Sequence, residues 1–589
     1  MPETRVEVMR TASGGLTRQR EKTAEKVRPD VAPSSPPPRS DVGTIVLHWT
    51  LTISILVSLA TGLRLSADAE GSWFAKALDP ILPQGEIWTP HFIAAFLVVG
   101  CIAAYTVYMR LGQLQRRVSL RKTVVFTLPT APKLRWGAVN VLLYWVLFAA
   151  VLVLTVTGIL LYLGWGGGVV TVHYSAALVV LGYIGVHIFS HTMMGGIRQL
   201  LRLVRPQPLR IRRGAMAKPF AAAAAVGAAV MAGFYMGDSL THPVLTIGTT
   251  STPPQIDGDL SDGVWSEASV ATVHTMQGSN LGGTGESTVE IRAVRDAANV
   301  YFAFRWNDPT RSLKRLPLIK REDGWHLLNN AADTADETAY YEDKFAVTFS
   351  RSNTYGSGGS THMGPKPLGD KPGALNKRGL HYTTDGSYMD MWQWKASRGG
   401  MLGMLDDMWF GPPLEPKEAQ VNGTARYSAG YDGDAGKKFY VYNYGNEPPG
   451  GYRGPVKVER LPKDWRATTA KLGALDLSVE VSDDPNGQWW MFEDESVPYD
   501  PAVDAAIPVG TVIPGVLIQG TYEGSRADVK GAAHWSDGYW TLETVRPLVT
   551  GDDVKDLPIE SGIYLWVAVF DHNQTRHTRH VRPVEIQLR

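Results

Sequence analysis

Five long apolar runs occupy the first 240 residues of the chain, and loops rich in arginine separate several of them. Each run is close to the ~20 residues that an α-helix needs to cross the hydrocarbon core of a membrane. The pattern therefore predicts membrane-spanning helices. They cover about residues 44–63, 91–109, 138–163, 169–192 and 217–236.

The remaining residues follow a different pattern, in which short apolar and aromatic runs alternate with Gly, Asn, Asp and Pro. Examples are Asn299–Trp306, Lys344–Phe349, Lys438–Tyr442 and Ile563–Phe570. Such runs are typical of strands separated by turns, so we expect an antiparallel β-sandwich with long loops. The longest loops are expected at 351–387 and 396–437.

These patterns divide the chain into four parts. We expect a disordered basic cytoplasmic tail at 1–40, a four-helix membrane domain at 41–215, a fifth transmembrane helix and linker at 216–240, and an exported β-sandwich at 245–589. The fold class is thus membrane all-α followed by extracytoplasmic all-β.

Lysines and arginines predict the orientation, because they concentrate on the cytoplasmic side of membrane proteins. The N-terminal tail, the loop after the second run and the loop before the fifth run are all basic. Five spans that begin inside place the β-sandwich outside. This arrangement favours the bacterial inner membrane, with the sandwich in the periplasm.

Composition excludes several kinds of site. The net charge is +1, which gives no case for nucleic-acid binding. The single cysteine, Cys101, excludes intramolecular disulfides and thiolate-bound iron–sulfur clusters in this chain. No Cys-x-x-Cys-His motif occurs, so any haem must be held non-covalently.

Histidines inside the apolar runs are the candidate functional residues. His173 and His187 are fourteen residues apart, so they share one helix face and lie ~21 Å apart along the axis. By depth, His91 pairs with His173 on the outer side and His48 with His187 on the inner side. His191 lies one turn beyond His187 and could replace it.

Paired imidazoles at two depths predict ligands for two b haems. One alternative is that these histidines hydrogen-bond to carbonyls or lipid headgroups at the membrane interface. A second is a proton relay, which the shortage of Asp and Glu in the spans disfavours.

The segment Val42-Gly-Thr-Ile-Val-Leu-His-Trp49, together with His91 and the His173/His187 spacing, resembles a known family. It is similar to the di-haem cytochrome b subunits of formate dehydrogenases and nickel–iron hydrogenases and to bacterial cytochrome b561, over about residues 40–215. The resemblance implies two haems b, ligated by His48, His91, His173 and His187, and exchange of electrons with quinone.

The exported half resembles the haem-binding γ subunits of ethylbenzene dehydrogenase and related molybdenum enzymes over about residues 245–589. The likeness rests on the Ile-Asp-Gly opening at 256–258, the motif Met391-Trp-Gln-Trp-Lys395 and a basic C-terminal strand. It implies a third haem b. We expect His362 and His580 as its ligands, with Met363, His577 and Lys395 as replacements.

Together these features predict an electron-transfer subunit rather than a stand-alone enzyme. It would lie in membrane lipid and connect the quinone pool with a periplasmic partner, such as a molybdenum oxidoreductase or a c-type cytochrome. Two alternatives are a membrane-tethered carbohydrate- or ligand-binding module and a stand-alone quinone or ferric reductase.

Overall fold

The computed structural model describes residues 38–67, 72–83, 87–329, 337–353, 361–364, 380–383, 385–421, 427–445, 454–552 and 554–589. At 79, 361–364, 380 and 419 it describes the backbone only. The predicted tail at 1–40 falls outside these residues, except for its last three positions.

Five of the described helices are long and apolar enough to cross a membrane, as the sequence predicts. They are α1 (Val42–Ser66), α2 (Trp88–Leu111), α3 (Pro132–Tyr162), α4 (Gly168–Leu200) and α5 (Ala217–Thr241). Short helices at Trp73–Leu78, Gly263–Glu267, Glu418–Val421, Trp465–Lys471 and Pro501–Ala505 complete the described α-helices.

The first four long helices form one bundle. Ile55 and Leu59 of α1 pack with Val98 of α2, Leu147 of α3 and Val180 of α4. Helix α5 lies outside this core and packs against α2, where Phe96 and Phe234 meet edge to face. The outward surface is also apolar, with exposed side chains such as Ile53, Leu97 and Leu152. A bundle that is apolar on both faces fits a lipid environment.

Asp41 caps the bundle at the end where α1 begins. Its carboxylate accepts hydrogen bonds from the Thr44 backbone N–H at 2.9 Å and the Thr44 hydroxyl at 2.7 Å. The Tyr108 hydroxyl also donates to it, and Arg210 lies 3.8 Å away. The buried carboxylate thereby ties the start of α1 to α2 and to the basic segment before α5.

The second half of the chain is built on a twelve-stranded sheet. Its strands are β1 (Val244–Thr249), β2 (Val270–Thr275), β3 (Ser287–Arg295), β4 (Asn299–Asn307), β5 (Lys344–Ser350), β6 (Met389–Lys395), β7 (Asp406–Phe410), β8 (Tyr431–Gly433), β9 (Lys530–Ser536), β10 (Tyr539–Pro547), β11 (Tyr564–Phe570) and β12 (Val584–Leu588). They follow the order β8-β7-β6-β5-β11-β12-β1-β3-β4-β10-β9, with β2 beside β3.

Shorter strands lie outside this sheet. Three small sheets have two strands each: Ser40–Asp41 with Pro206–Gln207, Thr361–Gly364 with Leu380–Thr383, and Arg460–Pro462 with Ser496–Pro498. One three-stranded sheet contains Leu318–Arg321, Gly324–Leu327 and Val512–Ile513. The other contains Tyr440–Tyr442, Met491–Phe492 and Val516–Ile518.

The long sheet folds so that its two halves pack face to face around an aromatic core. Trp306 of β4 stacks on Phe345 of β5 with ring centroids 4.4 Å apart, and Phe302 lies 5.6 Å from Phe349. The predicted fold class, a helical membrane part followed by a β domain, is confirmed. The sheet is not purely antiparallel, because β1 pairs in parallel with both β12 and β3.

Both predicted long loops contain strands. In the loop 351–387, Thr361–Gly364 pairs with Leu380–Thr383. Residues 396–437 include β7 and β8, which extend the sheet beyond β6. Consecutive acidic residues, Asp406 and Asp407, conceal β7 in the sequence because charged residues are seldom buried in strands. Both are nevertheless buried here.

Candidate functional site

His91 and His173 lie in one cavity at the end of the bundle that faces the β domain. The cavity measures about 210 Å³, and Leu59, Phe92 and Tyr174 are among its lining residues. We call this the domain-proximal site. Each histidine Nδ1 lies within hydrogen-bonding distance of a threonine, His91 of Thr61 at 2.9 Å and His173 of Thr157 at 2.8 Å.

The two threonines determine which ring nitrogen of His91 and of His173 carries the proton. Each hydroxyl donates to a carbonyl one turn earlier in its own helix, Thr61 to Val57 and Thr157 to Val153, both at 2.7 Å. The oxygen is therefore the acceptor for an Nδ1–H of histidine. That tautomer leaves the lone pair on Nε2, which is the atom that ligates iron when Nδ1 is held in this way.

A glycine follows each threonine, and both glycines make room for an imidazole. A Cβ atom at Gly62 would lie 3.2 Å from Cε1 of His91, and one at Gly158 would lie 3.5 Å from Cε1 of His173. The repeated Thr-Gly dipeptide was not recognised in the sequence. Its occurrence in both helices that face a candidate ligand is the signal that could have revealed it.

His48 and His187 form a second pair, which we call the domain-distal site. Their ring centroids are 6.5 Å apart. Two imidazoles on opposite sides of one metal ion have centroids about 6 Å apart, because each metal–nitrogen bond is about 2 Å and each centroid lies about 1 Å further. The pair therefore fits a shared haem iron. Tyr183 stacks on His187 at 5.2 Å, and the ring of His191 packs edge-on at 4.6 Å.

The β domain contains a third histidine pair inside a cavity of about 160 Å³. His381 belongs to the strand Leu380–Thr383, and His577 follows β11. Their ring centroids are 6.4 Å apart, close to the separation in the domain-distal site. The Nδ1 of His577 lies 2.8 Å from the Thr578 carbonyl oxygen, which makes it the protonated nitrogen.

We call this pair and its cavity the β-domain site. Met391 and Gln393 of β6 and Trp566 of β11 also line it. Imidazole and thioether are both haem ligands, so the donor set suits haem iron. Sequence reasoning missed His381, because no periodic pattern surrounds it and its partner is almost two hundred positions away.

The other residues predicted as haem ligands in the β domain make different contacts from His381 and His577. The side chains of His362 and Met363 lie outside the described residues, although the backbone of Met363 pairs with His381. His580 is buried, with its Nε2 accepting a hydrogen bond from the Val567 N–H at 2.9 Å and its Nδ1 donating to the Arg582 carbonyl at 2.6 Å. The Lys395 ammonium is ion-paired with buried Asp406.

A single chain segment joins the domain-proximal and β-domain sites. Thr578, Arg579 and His580 line the cavity of the β-domain site, and Val581 lines that of the domain-proximal site. The segment is held by reciprocal backbone hydrogen bonds of 2.8 and 2.9 Å between Arg579 and Met276. Four residues span at most ~14 Å, so His577 lies within that distance of Val581 along the backbone.

The two halves of the molecule also make direct polar contacts. Arg582 donates to the Leu163 carbonyl at 2.9 Å and to the Thr241 hydroxyl at 2.8 Å, and it lies 3.3 Å from Asp238. Glu286 accepts hydrogen bonds from the backbone N–H of Gly167 at 2.8 and 3.0 Å. Gly167 has a φ of 61° in the turn between α3 and α4, a conformation that favours glycine.

Two family profiles match the chain. The family described as ethylbenzene dehydrogenase matches residues 262–582, which is more than half of the chain. The family described as prokaryotic cytochrome b561 matches residues 39–206. Among curated proteins, none matches.

Solved structures similar to the chain include a family 9 carbohydrate-binding module from Caldicellulosiruptor kristjanssonii, in complexes with glucose and with cellotriose. The identities are 10% and 9%, each covers 58% of this chain, and the matches span 95% and 94% of the module. The TM-scores of 0.18 and 0.19 are too low to support an argument about fold or function.

The cytochrome b561 match covers the helices that carry all four membrane histidines, and it implies haem b in that half. The ethylbenzene dehydrogenase match covers most of the β domain, including His381 and His577. The chain therefore belongs to the ethylbenzene dehydrogenase family and carries at its membrane end a prokaryotic cytochrome b561 domain, which makes it a membrane b-type cytochrome.

Proposed function

We propose that this protein transfers electrons between the quinone pool and a redox partner of its β domain, through three haem sites in one chain. The observation that carries the proposal is the segment His577–Val581, which lines the cavities of both the β-domain site and the domain-proximal site. A shared segment gives electrons a short covalent route between the two halves.

Haem supplies one-electron chemistry, and the protein determines where it is held and how it is tuned. In the membrane half, His91 with His173 and His48 with His187 are the proposed ligands. Thr61 and Thr157 orient the first pair by accepting from Nδ1. Because both sites take two imidazoles, they leave no open position for substrate, which suits electron transfer.

For the β-domain site we propose His381 and His577 as ligands. Their ring separation supports them, and the hydrogen bond from His577 Nδ1 to the Thr578 carbonyl leaves the lone pair on Nε2. His580 uses its Nε2 lone pair to accept from Val567, which makes it the weaker choice. The pairing of His362 with His580 stays a prediction.

The distribution of basic residues supports the proposed location. The segments around Arg117 and Arg210 gather at the end of the bundle opposite the β domain, near buried Asp41. By the positive-inside rule this end is cytoplasmic. We therefore propose a bacterial inner membrane with a periplasmic β domain, where a molybdenum oxidoreductase or a c-type cytochrome would be the partner.

The first test is quinol-dependent reduction of the full chain in lipid nanodiscs. We expect a b-type α band in the reduced-minus-oxidised spectrum, three haems per chain and reduction by an added quinol. The variant His187→Ala should lose the domain-distal haem and slow reduction by quinol. A purified chain without a b-type spectrum would exclude the redox function, and two haems would leave the β domain as a ligand-binding module.

The second test concerns the ligands of the β-domain site. His381→Ala and His577→Ala should each lower the haem count by one and leave the two membrane haems unchanged. The matched control is His534→Ala, because His534 lies exposed on β9. Magnetic circular dichroism should show bis-imidazole ligation, whereas a sulfur-to-iron transition would implicate Met391. Full haem content in both variants would contradict the assignment.

A further inference from the structure

A cluster of buried carboxylates lies on the side of strand β6 opposite the β-domain site. Side chains alternate along a strand, so Met391 and Gln393 line the cavity while Asp390 faces the other way. Trp392 of β6 pairs with Asp407 of β7, and Asp390 pairs with Trp409, which puts Asp390 and Asp407 on the same face.

Two more carboxylates complete the cluster. Asp434 follows β8, and its N–H donates to the Asp407 carbonyl at 3.0 Å. Asp556 comes from the loop between β10 and β11. Ligand oxygens of Asp390, Asp407 and Asp556 lie within 4.8 Å of one another. All four side chains are buried, with exposed fractions of 0% for Asp390 and Asp407, 4% for Asp434 and 1% for Asp556.

Most of the carboxylate oxygens in this cluster have no hydrogen-bond partner among the described residues. Both oxygens of Asp407 and both of Asp434 are unpartnered, as are Oδ1 of Asp390 and Oδ1 of Asp556. A buried polar atom without a partner destabilises the fold, and more so when it is charged. Six such oxygens in one place therefore call for a ligand.

Nearby cations do not balance the charge. Arg546 is buried and ion-paired with Asp390, and its NH2 group also donates to the Leu557 carbonyl at 2.7 Å. Lys555 also acts on Asp434, and the four carboxylates outnumber these two cations.

The neighbouring residue provides a contrast. Asp406 precedes Asp407 on β7 but points to the other face, where Lys395 and Arg526 both pair with it. These cations lower the pKa of Asp406 to about 2 against the effect of burial. Its charge is thus satisfied by side chains, whereas that of Asp407 is not.

A second buried acidic cluster, formed by Asp308, Asp343 and Asp571, has partners for most of its carboxylate oxygens. Asp343 accepts from the N–H groups of Ser312 and His572 and from Trp540 Nε1. Asp571 accepts from the Leu281 N–H and is paired with His572, whose pKa it raises against the effect of burial. Oδ2 of Asp308 is the single carboxylate oxygen of this cluster without a partner among the described residues, against six in the cluster around Asp407.

We propose that Asp390, Asp407, Asp434 and Asp556 bind a calcium ion. Ca²⁺ takes 6–8 oxygen ligands at 2.3–2.6 Å, so oxygens in one coordination sphere lie at most ~5 Å apart. The oxygens of Asp390, Asp407 and Asp556 meet this limit, and Asp434 lies beside Asp407. Zinc prefers nitrogen and sulfur ligands, and Mg²⁺ retains several waters that a dry, four-carboxylate site accommodates poorly. The ion ties β6, β7 and β8 to the loop before β11.

The test uses the full chain in detergent and measures metal by mass spectrometry and unfolding by differential scanning fluorimetry. We expect one calcium per chain after gel filtration. Chelation by EGTA should remove it and lower the unfolding temperature of the β domain, and CaCl₂ but not MgCl₂ should restore that temperature. These readings do not depend on haem content, so they stand or fall separately from the proposed function.

Substitutions of the proposed ligands test where the calcium ion binds. Asp407→Asn and Asp434→Asn should lose the calcium and the calcium-dependent shift in unfolding temperature, while the matched control Asp308→Asn should keep both. If a variant does not fold, the wild-type chain with and without EGTA still decides. A wild-type chain free of calcium, with an unfolding temperature indifferent to CaCl₂ and EGTA, would overturn the proposal in favour of carboxyls that share protons. Equal restoration by MgCl₂ would overturn the choice of ion.

Discussion

His580 lines the cavity of the β-domain site and directly precedes Val581, which lines the domain-proximal cavity, and its ring makes backbone contacts. It accepts from the Val567 N–H in β11 and donates to the carbonyl of Arg582, which in turn contacts α3 and α5. The contact with Val567 requires the neutral imidazole, because a protonated ring has no lone pair on Nε2 to accept with, whereas the contact with Arg582 is possible in either state. Burial lowers the pKa of His580 to about 4.

This pKa gives a prediction about acid stability. A histidine with a normal value of 6.5 in the unfolded chain and about 4 in the folded chain takes up its proton preferentially on unfolding. Stability should therefore fall as the pH drops from 6.5 towards 4, by up to about 3 kcal/mol at ~1.4 kcal/mol per pKa unit. Urea denaturation at several pH values, monitored by tryptophan fluorescence of the β domain, measures it.

The comparison variant is His580→Gln, whose amide can accept from Val567 and donate to Arg582 but does not titrate in this range. We expect it to be less sensitive to pH than the wild-type chain and to retain all its haem. A loss of the β-domain haem in this variant would instead support His580 as an axial ligand. An unchanged pH dependence would contradict the role assigned to its neutral ring.

Some residues of the sites could be predicted from the sequence and others could not. Histidines in apolar runs are conspicuous because a polar ring in lipid is costly, so the sequence predicts His48, His91, His173 and His187 as ligands. Their depth predicts the two pairs in which the structure brings them together, while ligation itself stays a prediction. In the β domain a histidine carries no such signal. His381 and His577 meet only through the fold, and only His577 was considered.

At the level of elements, the membrane helices were predicted well and the strands less so. A span must be apolar along its whole length, so the bounds of α1 to α5 follow from composition. A strand in a sandwich needs only one apolar face. In β7 the face turned away from the cavity of the β-domain site carries Asp407 and Trp409, and the sequence therefore predicts a loop there.

Strand β6 shows how one element serves two sites. Its alternate residues Met391 and Gln393 line the β-domain cavity, while Asp390 joins the proposed calcium site on the opposite face. The sequence motif Met391-Trp-Gln-Trp-Lys395 was recognised as part of a haem domain. The sequence does not predict a role for Asp390, the residue before this motif, because its partners Asp407, Asp434 and Asp556 come from three other parts of the chain.

At the scale of the whole molecule, the membrane and β domains are closely connected. Only residues 242 and 243 separate the end of α5 from the start of β1. The turn between α3 and α4 also contacts the β domain, where a Cβ atom at Gly166 would lie 2.0 Å from His274 Nε2. These contacts hold the domain-proximal site against the segment that leads to the β-domain site.

Arg582 is the contact that can be tested most directly. Its guanidinium reaches the Leu163 carbonyl, the Thr241 hydroxyl and Asp238 together, and lysine cannot reproduce this planar set of donors. The variant Arg582→Lys should weaken the interaction between the β domain and the membrane helices by about 1.5–3 kcal/mol, which is the range for hydrogen bonds that involve a charged group. Stopped-flow spectroscopy should then show slower electron transfer from the membrane haems to the β domain, at unchanged haem content.

Arg292→Lys is the matched control, because Arg292 forms its ion pair with Glu290 of its own strand β3, within the β domain. We expect wild-type electron-transfer rates in this control. If Arg582→Lys also transfers electrons at the wild-type rate, the contact is not needed to align the two sites. The backbone pairing of Arg579 with Met276 would then be sufficient to hold the segment His577–Val581 between the cavities.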